Sequence, residues 1–156
     1  MSKFLYSLLT IFALTTPLLS QSTNLPNGSN AALPVEATAD DLLVNTHENS
    51  AVFSGNAKVI QGVLDLRANE ITVFFEEGDR NIKTVKAIGQ VKFSNGQATA
   101  EAQNAKFDVA SQIITFTGNV ILRQTQTVLS GNLLTYNITT SRSKMSGNVK
   151  TVFIPK

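Results

Sequence analysis

The sequence contains no cysteine and no tryptophan, and it is poor in charge. Of its 156 residues, 15% are charged, and the formal net charge is +2 at pH 7. Without cysteine the chain can form no disulfide and no thiolate metal site, so packing and backbone hydrogen bonds must hold any folded domain together. Lysine and arginine are dispersed and nowhere reach the density of a nucleic-acid-binding patch. We therefore expect no nucleic-acid partner.

Residues that could perform catalysis are equally scarce. The single histidine, His47, lies in the polar run Asn45–Asn49, which predicts a solvated turn. The acidic pairs Asp40-Asp41 and Glu76-Glu77 are neighbours in sequence, and neighbours in a strand point to opposite faces. The chain has no phosphate-binding glycine loop and no G-x-S-x-G motif. The sequence therefore predicts a non-enzymatic protein with no catalytic residue, no metal ion and no cofactor.

The first residues have the pattern of an export signal. Lys3 precedes an apolar run from Phe4 to Leu14, and Ser20-Gln21-Ser22 provides small residues for a cleavage site. This predicts a cleaved secretory signal peptide over residues 1–22. The alternative is an uncleaved anchor, although Phe4 to Leu19 is shorter than the roughly 20 residues that a membrane span needs.

Two further segments follow the predicted signal. Residues 23–34 are rich in Asn, Pro, Gly and Ser and have no apolar period, so we expect a flexible lead-in. Residues 35–156 have the length of one domain. The chain is therefore predicted to fold as a single exported domain.

Glycine recurs in this domain at a fixed interval. The interval from Gly89 to Gly118 equals that from Gly118 to Gly147, and the interval from Gly55 to Gly89 is slightly longer. The polar segment 77–81 is about the right size to explain the longer gap. A second column, meaning a second set of equivalent positions in the repeat, keeps the same spacing. Its members are Ala39, Ala68, Ala102 and Gly131, and each is followed by Asp, Asn or Gln. A period that holds in two columns indicates one supersecondary unit used repeatedly.

Between these markers, apolar and polar side chains alternate with the period of a half-buried strand. In the run 105–109, for example, Phe107 faces one way and Lys106 and Asp108 the other. The alternation slips by one residue at the second column, so a bend or bulge must lie there. We interpret the glycines as a second corner, on the opposite side of each unit. Units with two such corners would stack into two facing sheets. The fold predicted is all-β, a folded-over β-jellyroll or short β-solenoid with an unpaired strand edge at each end.

The unpaired edges and the apolar inner face each allow two interpretations. The edges could be covered by the lead-in, or a second copy or a partner could add a strand to them. The inner face could be a plain sandwich core or an apolar trough. The predicted inner-face residues are Val44, Phe53, Val59, Ile71, Val73, Phe75, Val91, Phe93, Phe107, Ile114, Phe116, Leu134, Tyr136 and Met145. The predicted edge residues are Leu42, Val44, Val52, Val149, Val152 and Phe153.

The recurrent unit resembles a known family. Residues 53–59 (FSGNAKV) and 116–122 (FTGNVIL) share the pattern F-[ST]-G-N-[AV]-x-[VL]. Residues 64–71 and 129–136 are similar to the family's strand, corner and strand. From about Val35 to Pro155 the chain resembles the OstA-like domain of LptA-type proteins, which transport lipopolysaccharide across the periplasm.

The resemblance implies a function that composition does not. Family members form a twisted, open β-jellyroll whose apolar interior shelters the acyl chains of lipid A. They join end to end and contact LptC-like inner-membrane and LptD-like outer-membrane partners through strand edges. The predicted inner-face residues would then bind lipid, and the edge residues would bind partners. The alternatives are an LptC-like anchored component of the same pathway, and a polysaccharide-binding or structural β-solenoid.

Overall fold

In the computed structural model, which describes residues 33–155, the chain forms ten β-strands in one antiparallel sheet, and this part contains no helix. The strands are β1 (Glu36–Thr38), β2 (Asp41–Asn45), β3 (Ser50–Gln61), β4 (Leu64–Phe75), β5 (Ile82–Ser94), β6 (Thr99–Asp108), β7 (Ile113–Gln124), β8 (Thr127–Asn137), β9 (Arg142–Ser146) and β10 (Lys150–Phe153). The predicted signal peptide and nearly all of the predicted lead-in lie outside the described residues. No helix long and apolar enough to cross a membrane occurs within that range.

The strands follow one another as a meander. β3 to β8 pair in chain order through hairpins. β1 and β2 pair with opposite ends of β3, and β9 and β10 pair with opposite ends of β8. Each outermost position is therefore occupied by one interrupted strand. Within the described residues these two strands have no neighbour on their far side.

The long strands all bend in the middle, where the pairing register shifts, for example between Ser54 and Ala57 and between Thr117 and Val120. The bends form one line that folds the sheet into two layers. Layer A contains β2, β9 and segments 50–54, 70–75, 82–88, 104–108, 113–117 and 133–137. Layer B contains β1, β10 and segments 57–61, 64–68, 91–94, 99–102, 120–124 and 127–131. The predicted all-β, folded-over sheet with open edges is confirmed.

The two marker columns lie on the same bend line, so their placement at opposite corners was wrong. Gly118 on β7 lies beside Gln103 on β6, and a Cβ added to the glycine would lie 2.6 Å from the glutamine Oε1. Likewise, a Cβ added to Gly89 on β5 would collide with the side chain of Asn69 on β4. Both glycines have positive φ, +83° and +79°. Glycine is required here because the backbone turns into the left-handed region against a neighbouring side chain.

A third repeated column occurs in the hairpin turns of layer A. Asn45, Asp108 and Asn137 each accept a hydrogen bond from a backbone N–H three residues further along, at 3.3, 2.9 and 2.8 Å. Such Asx turns replace a backbone bond in a tight connection. The interval from Asp108 to Asn137 equals that from Gly118 to Gly147, so these turns share the glycine register. The extra residues of the longer glycine interval lie in the β4–β5 hairpin, whose loop is residues 76–81.

The core lies between the two layers and runs along the whole meander. Its largest fully buried side chains are Phe116, Ile71, Leu134, Val91 and Val120. Small side chains, among them Ala57, Ala87 and Ala105, are also buried between these larger ones. The apolar face predicted from the alternation is therefore internal, and the charged side chains occupy the outer face.

Candidate functional site

The structure places the predicted inner-face residues between the layers, with burial that depends on distance from the edges. Val44, on β2, is the exception, because 61% of its surface is exposed. The buried members are Ile71, Val73, Val91, Phe93, Ile114, Phe116 and Leu134, and the half-buried members are Phe53, Val59, Phe75, Phe107, Tyr136 and Met145. Their contact with lipid remains a prediction.

A cavity of about 250 Å³ opens between the layers towards the C-terminal side of the fold. It is lined by Phe93, Asn95, Gln97, Ala98, Ala100, Phe116, Leu122, Gln124, Thr125, Leu134, Tyr136 and Ser141. None of these side chains carries a charge. Within this lining, the ring of Phe93 packs against those of Phe116 and Tyr136, with centroids 5.7 and 6.4 Å apart. The volume exceeds the roughly 150 Å³ of an engineered apolar cavity that binds benzene, so a segment of hydrocarbon chain can enter.

The mouth of this cavity is bridged by one hydrogen bond. The Asn95 amide Nδ2 in the β5–β6 turn donates to the Tyr136 hydroxyl on β8 at 2.9 Å. The Asn95 carbonyl Oδ1 accepts the backbone N–H groups of Gln97 at 3.0 Å and Ala98 at 2.8 Å. Because the oxygen must face those two donors, the orientation of the amide is fixed. The mouth is therefore polar but uncharged.

Sequence reasoning missed two kinds of residue at this site. Val120 is fully buried, and its position could have been inferred, because it follows Val91 at the same interval that separates Gly118 from Gly89. Asn95 was missed for a different reason. It lies 41 residues from Tyr136 in sequence, and only the folding of one layer over the other brings them together.

The ends of the interior are exposed at both sheet edges. Leu42 on β2 and Phe153 on β10 share a face with the interior through their partners Phe53 and Thr127. Their exposed fractions are 58% and 75%. Among the described residues, most exposed large apolar side chains lie on the two terminal segments: Leu33, Val35, Leu42, Leu43, Val44, Val149, Val152, Phe153 and Ile154. The remaining two are Val63 and Ile88.

One predicted edge residue lies elsewhere. Val52 is on β3, where it pairs with Leu43 of β2 on one side and Thr72 of β4 on the other. Both sides of its backbone therefore face neighbouring strands, and Val52 is not an edge residue. Leu43 occupies the edge position beside it and is 66% exposed.

The direction of the outermost hydrogen bonds can be read from the ladder. The Ile154 N–H donates to the Gln126 carbonyl at 2.9 Å, continuing the β8–β10 pairing. Because bonding directions alternate along an antiparallel strand, the N–H of Val152 also faces β8, whereas those of Thr151 and Phe153 face outward. At the other edge, the Asp40 N–H donates to the Gly55 carbonyl on β3. Because the direction alternates along the strand, the N–H of Leu43 faces away from β3. Within residues 33–155, both edges therefore present unpaired backbone donors and acceptors beside exposed apolar side chains.

In the described part of the chain, no charged side chain is buried. Arg67 pairs with Asp65 at 2.9 Å, and this hydrogen-bonded guanidinium lowers the pKa of the Asp65 carboxyl. Arg123 pairs with Glu101 at 2.8 Å. In residues 33–155, no group of three or more His, Cys, Asp or Glu side chains is placed to hold a metal ion. The described site therefore offers an apolar, uncharged interior and two strand edges.

Comparisons with known proteins agree with this geometry. A family described as LptA/(LptD N-terminal domain) LPS transport protein matches residues 36–142. The chain is 24% identical over 156 residues to the lipopolysaccharide export system protein LptA of Haemophilus influenzae, covering 93% of this chain and 91% of that protein. It is also 33% identical over 76 residues to the LPS-assembly protein LptD of Salmonella choleraesuis, covering 47% of this chain and 10% of that protein.

A solved structure shares the fold. This is LptH from Pseudomonas aeruginosa, described as the LptA-homologous periplasmic component of the lipopolysaccharide transport device. It matches with a TM-score of 0.75 and 16% identity, over 82% of this chain and all of that one. The likeness supports the open jellyroll architecture. Since the family match spans most of the domain, this chain belongs to the LptA/(LptD N-terminal domain) family of LPS transport proteins.

Proposed function

We propose that this protein binds lipopolysaccharide in the periplasm and shelters the acyl chains of lipid A between layers A and B. The observation that carries the proposal is the uncharged interior, which runs from Leu42 at one edge to Phe153 at the other and is exposed at both. A closed sandwich core would have covered those ends. An interior that stays apolar up to its open ends suits a hydrocarbon chain.

The energetics favour a binding protein over a catalyst. Each methylene group exposed to water costs about 0.8 kcal/mol, so an acyl chain of about a dozen carbons costs roughly 10 kcal/mol. A lipid with several such chains cannot cross an aqueous compartment unaided. An apolar interior removes this cost without any chemical step. It supplies no energy of its own, so directed transport requires an external motor.

The strand edges are the natural contacts for partners. Addition of a strand to β2 or β10 would satisfy the outward backbone groups near Leu43 and Thr151 and would cover Val44, Val149, Val152 and Phe153. Joined in this way, the interiors of neighbouring molecules would become continuous. We therefore propose that copies of this protein join end to end, and that the outer copies meet LptC-like and LptD-like partners at the two membranes.

The groove proposal is tested by photo-crosslinking. A benzoylphenylalanine probe replaces Phe93 or Phe107 on the inner face, or Lys106 on the outer face, in cells that make lipopolysaccharide. Phe107 and Lys106 form a matched pair, because adjacent residues of β6 point to opposite faces. We expect lipopolysaccharide adducts from Phe93 and Phe107 and none from Lys106. Adducts confined to Lys106 would refute the groove.

The export proposal has its own test. We propose that residues 1–22 are removed and that the mature protein is periplasmic. Mass spectrometry of the protein purified from cells should find the first residue near Ser20 to Thr23. Retention of Met1 to Leu19 would instead favour a membrane-anchored component of the same pathway.

A further inference from the structure

The hydrogen-bond donors at the mouth of the cavity indicate which kind of chemical group can bind there. We propose that Asn95 and Tyr136 bind an uncharged hydrogen-bond acceptor, such as a carbonyl, ether or hydroxyl oxygen, at the polar end of an acyl chain that lies against Phe93 and Phe116. This inference rests on the proposed function and adds a specificity site to it.

The hydrogen bonds made by Asn95 and Tyr136 leave two of their donor hydrogens unused. The Asn95 Oδ1 atom already accepts two backbone N–H groups, and one hydrogen of Nδ2 is used by Tyr136. The Tyr136 hydroxyl accepts that bond, so its own hydrogen is free to donate. Within residues 33–155, neither this hydrogen nor the second hydrogen of Asn95 Nδ2 has another partner. An acceptor atom on a ligand would use these two hydrogens.

The surroundings select an uncharged acceptor over an anion. All twelve residues that line the cavity are uncharged. Arg123 and Arg142, which adjoin the lining in sequence, pair with Val128 and Asn137 and lie on the outer face. A phosphate or carboxylate drawn into the mouth would lose hydration without gaining a counter-charge, which is costly. An ester carbonyl or sugar oxygen loses far less.

The same pair also joins the two layers. Among residues 33–155, the bond from Asn95 to Tyr136 is the only side-chain hydrogen bond that links the two sides of the mouth. The Tyr136 ring lies 6.4 Å from that of Phe93, which lies 5.7 Å from that of Phe116. The polar end of a ligand bound at this pair is thus held at the surface, while the chain attached to it enters the apolar cavity.

The test uses three amphiphiles with the same alkyl chain and different heads. Decyl maltoside, decyl phosphate and decyltrimethylammonium are titrated into the mature protein by calorimetry, each below its micelle concentration. We expect decyl maltoside to bind most tightly. Tyr136→Phe keeps the ring but removes the donor, and should raise the Kd of decyl maltoside about three- to tenfold while leaving that of decyltrimethylammonium unchanged.

A second variant tests the charge argument. Asn95→Asp retains an oxygen for the Gln97 and Ala98 N–H groups but replaces the amide donor with a negative charge. It should reverse the preference, so that decyltrimethylammonium binds more tightly than decyl maltoside. Thr99→Glu is the control, because it places the same charge just after this turn, at an exposed position that pairs with Arg123 and lies outside the cavity lining, and it should preserve the original order.

The outcomes separate this inference from the proposed function. Equal affinity for the three heads, tightest binding of decyl phosphate, or unchanged affinities in both Tyr136→Phe and Asn95→Asp would overturn the specificity site and leave the groove intact. Failure of all three amphiphiles to bind, together with no adduct from Phe93, would overturn the groove as well. Circular dichroism of each variant establishes that it is folded.

Discussion

The central strands and the terminal strands both carry large apolar side chains but differ in what covers them. Phe116 on β7 has neighbours on both sides and is 1% exposed, whereas Phe153 on β10 has one neighbour and is 75% exposed. Ile71 and Leu42 show the same contrast, at 0% and 58%. Burial in this fold therefore depends on flanking strands as much as on side-chain type. The terminal strands are therefore exposed apolar surfaces.

The largest expected effect comes from removing a phenylalanine at each kind of position. Phe116→Ala should lower the free energy of unfolding by about 3–5 kcal/mol, because it leaves a cavity between the layers. Phe153→Ala should change it by no more than about 0.5 kcal/mol, since the side chain is already solvated. Urea unfolding followed by circular dichroism measures both. Similar losses from the two variants would mean that the C-terminal edge is covered in solution.

The bend line provides the next comparison, between a glycine in contact and one in open space. Gly118 and Gly78 both have positive φ, +83° and +73°. A Cβ at Gly118 would meet Gln103 at 2.6 Å, whereas nothing lies within 4 Å of one at Gly78. Gly78→Ala should cost about 1 kcal/mol for its backbone conformation alone, and Gly118→Ala about 2–3 kcal/mol. If the two variants lower the urea midpoint equally, the contact with Gln103 adds nothing to the loss of stability in Gly118→Ala.

The sequence predicted the central region better than the edges. Period-two alternation and the constant glycine interval placed Ile71, Phe116 and Leu134 inside, because a buried strand in a repeated unit repeats its inward positions. The alternation says nothing of which strands pair, so the two marker columns were assigned to opposite corners although both lie on one bend line. Exposure of Val44 depends on the absence of a flanking strand, which a local pattern does not encode.

The mouth of the cavity was beyond sequence reasoning for a related reason. Tyr136 was predicted to face inward from its parity with Leu134, and it does. Asn95 is an ordinary turn residue by sequence, since Asn favours such turns. Its role follows from the distance between the layers and from the two N–H groups that orient its amide. Neither can be deduced from spacing.

A smaller effect on stability, but a clear one on association, is expected from proline at the C-terminal edge. Thr151→Pro removes an outward N–H, and proline is tolerated on such an edge, so the unfolding midpoint should barely change. Val152→Pro removes an N–H that faces β8 and should cost roughly 1–3 kcal/mol. Sedimentation velocity over a range of concentrations should show weakened self-association for Thr151→Pro. Unchanged sedimentation of that variant would count against strand addition at β10.

The smallest effect expected is a difference in acid sensitivity between a central and a terminal hairpin. Asp108 caps the central β6–β7 turn, where the Ser111 N–H and hydroxyl, at 2.9 and 2.7 Å, lower the pKa of the carboxyl. In the terminal hairpins, Asn45 and Asn137 accept the equivalent backbone N–H bonds, and an amide does not titrate. Because the pKa is lower in the folded state, this carboxylate stabilises the fold above its unfolded pKa, and the contribution is lost as the pH falls through the folded value.

Asp108→Asn should therefore reduce the fall in melting temperature between about pH 6 and about pH 3, because asparagine accepts the same two bonds at every pH. Some acid sensitivity should remain, since the pKa of Asp65 is also lowered by its bond to Arg67. Asn137→Asp is the reciprocal variant and should introduce the sensitivity into a terminal hairpin. An unchanged dependence of melting temperature on pH in Asp108→Asn would contradict this prediction. It would mean that the hydrogen bonds from Ser111 do not lower the pKa of Asp108 below its value in the unfolded chain.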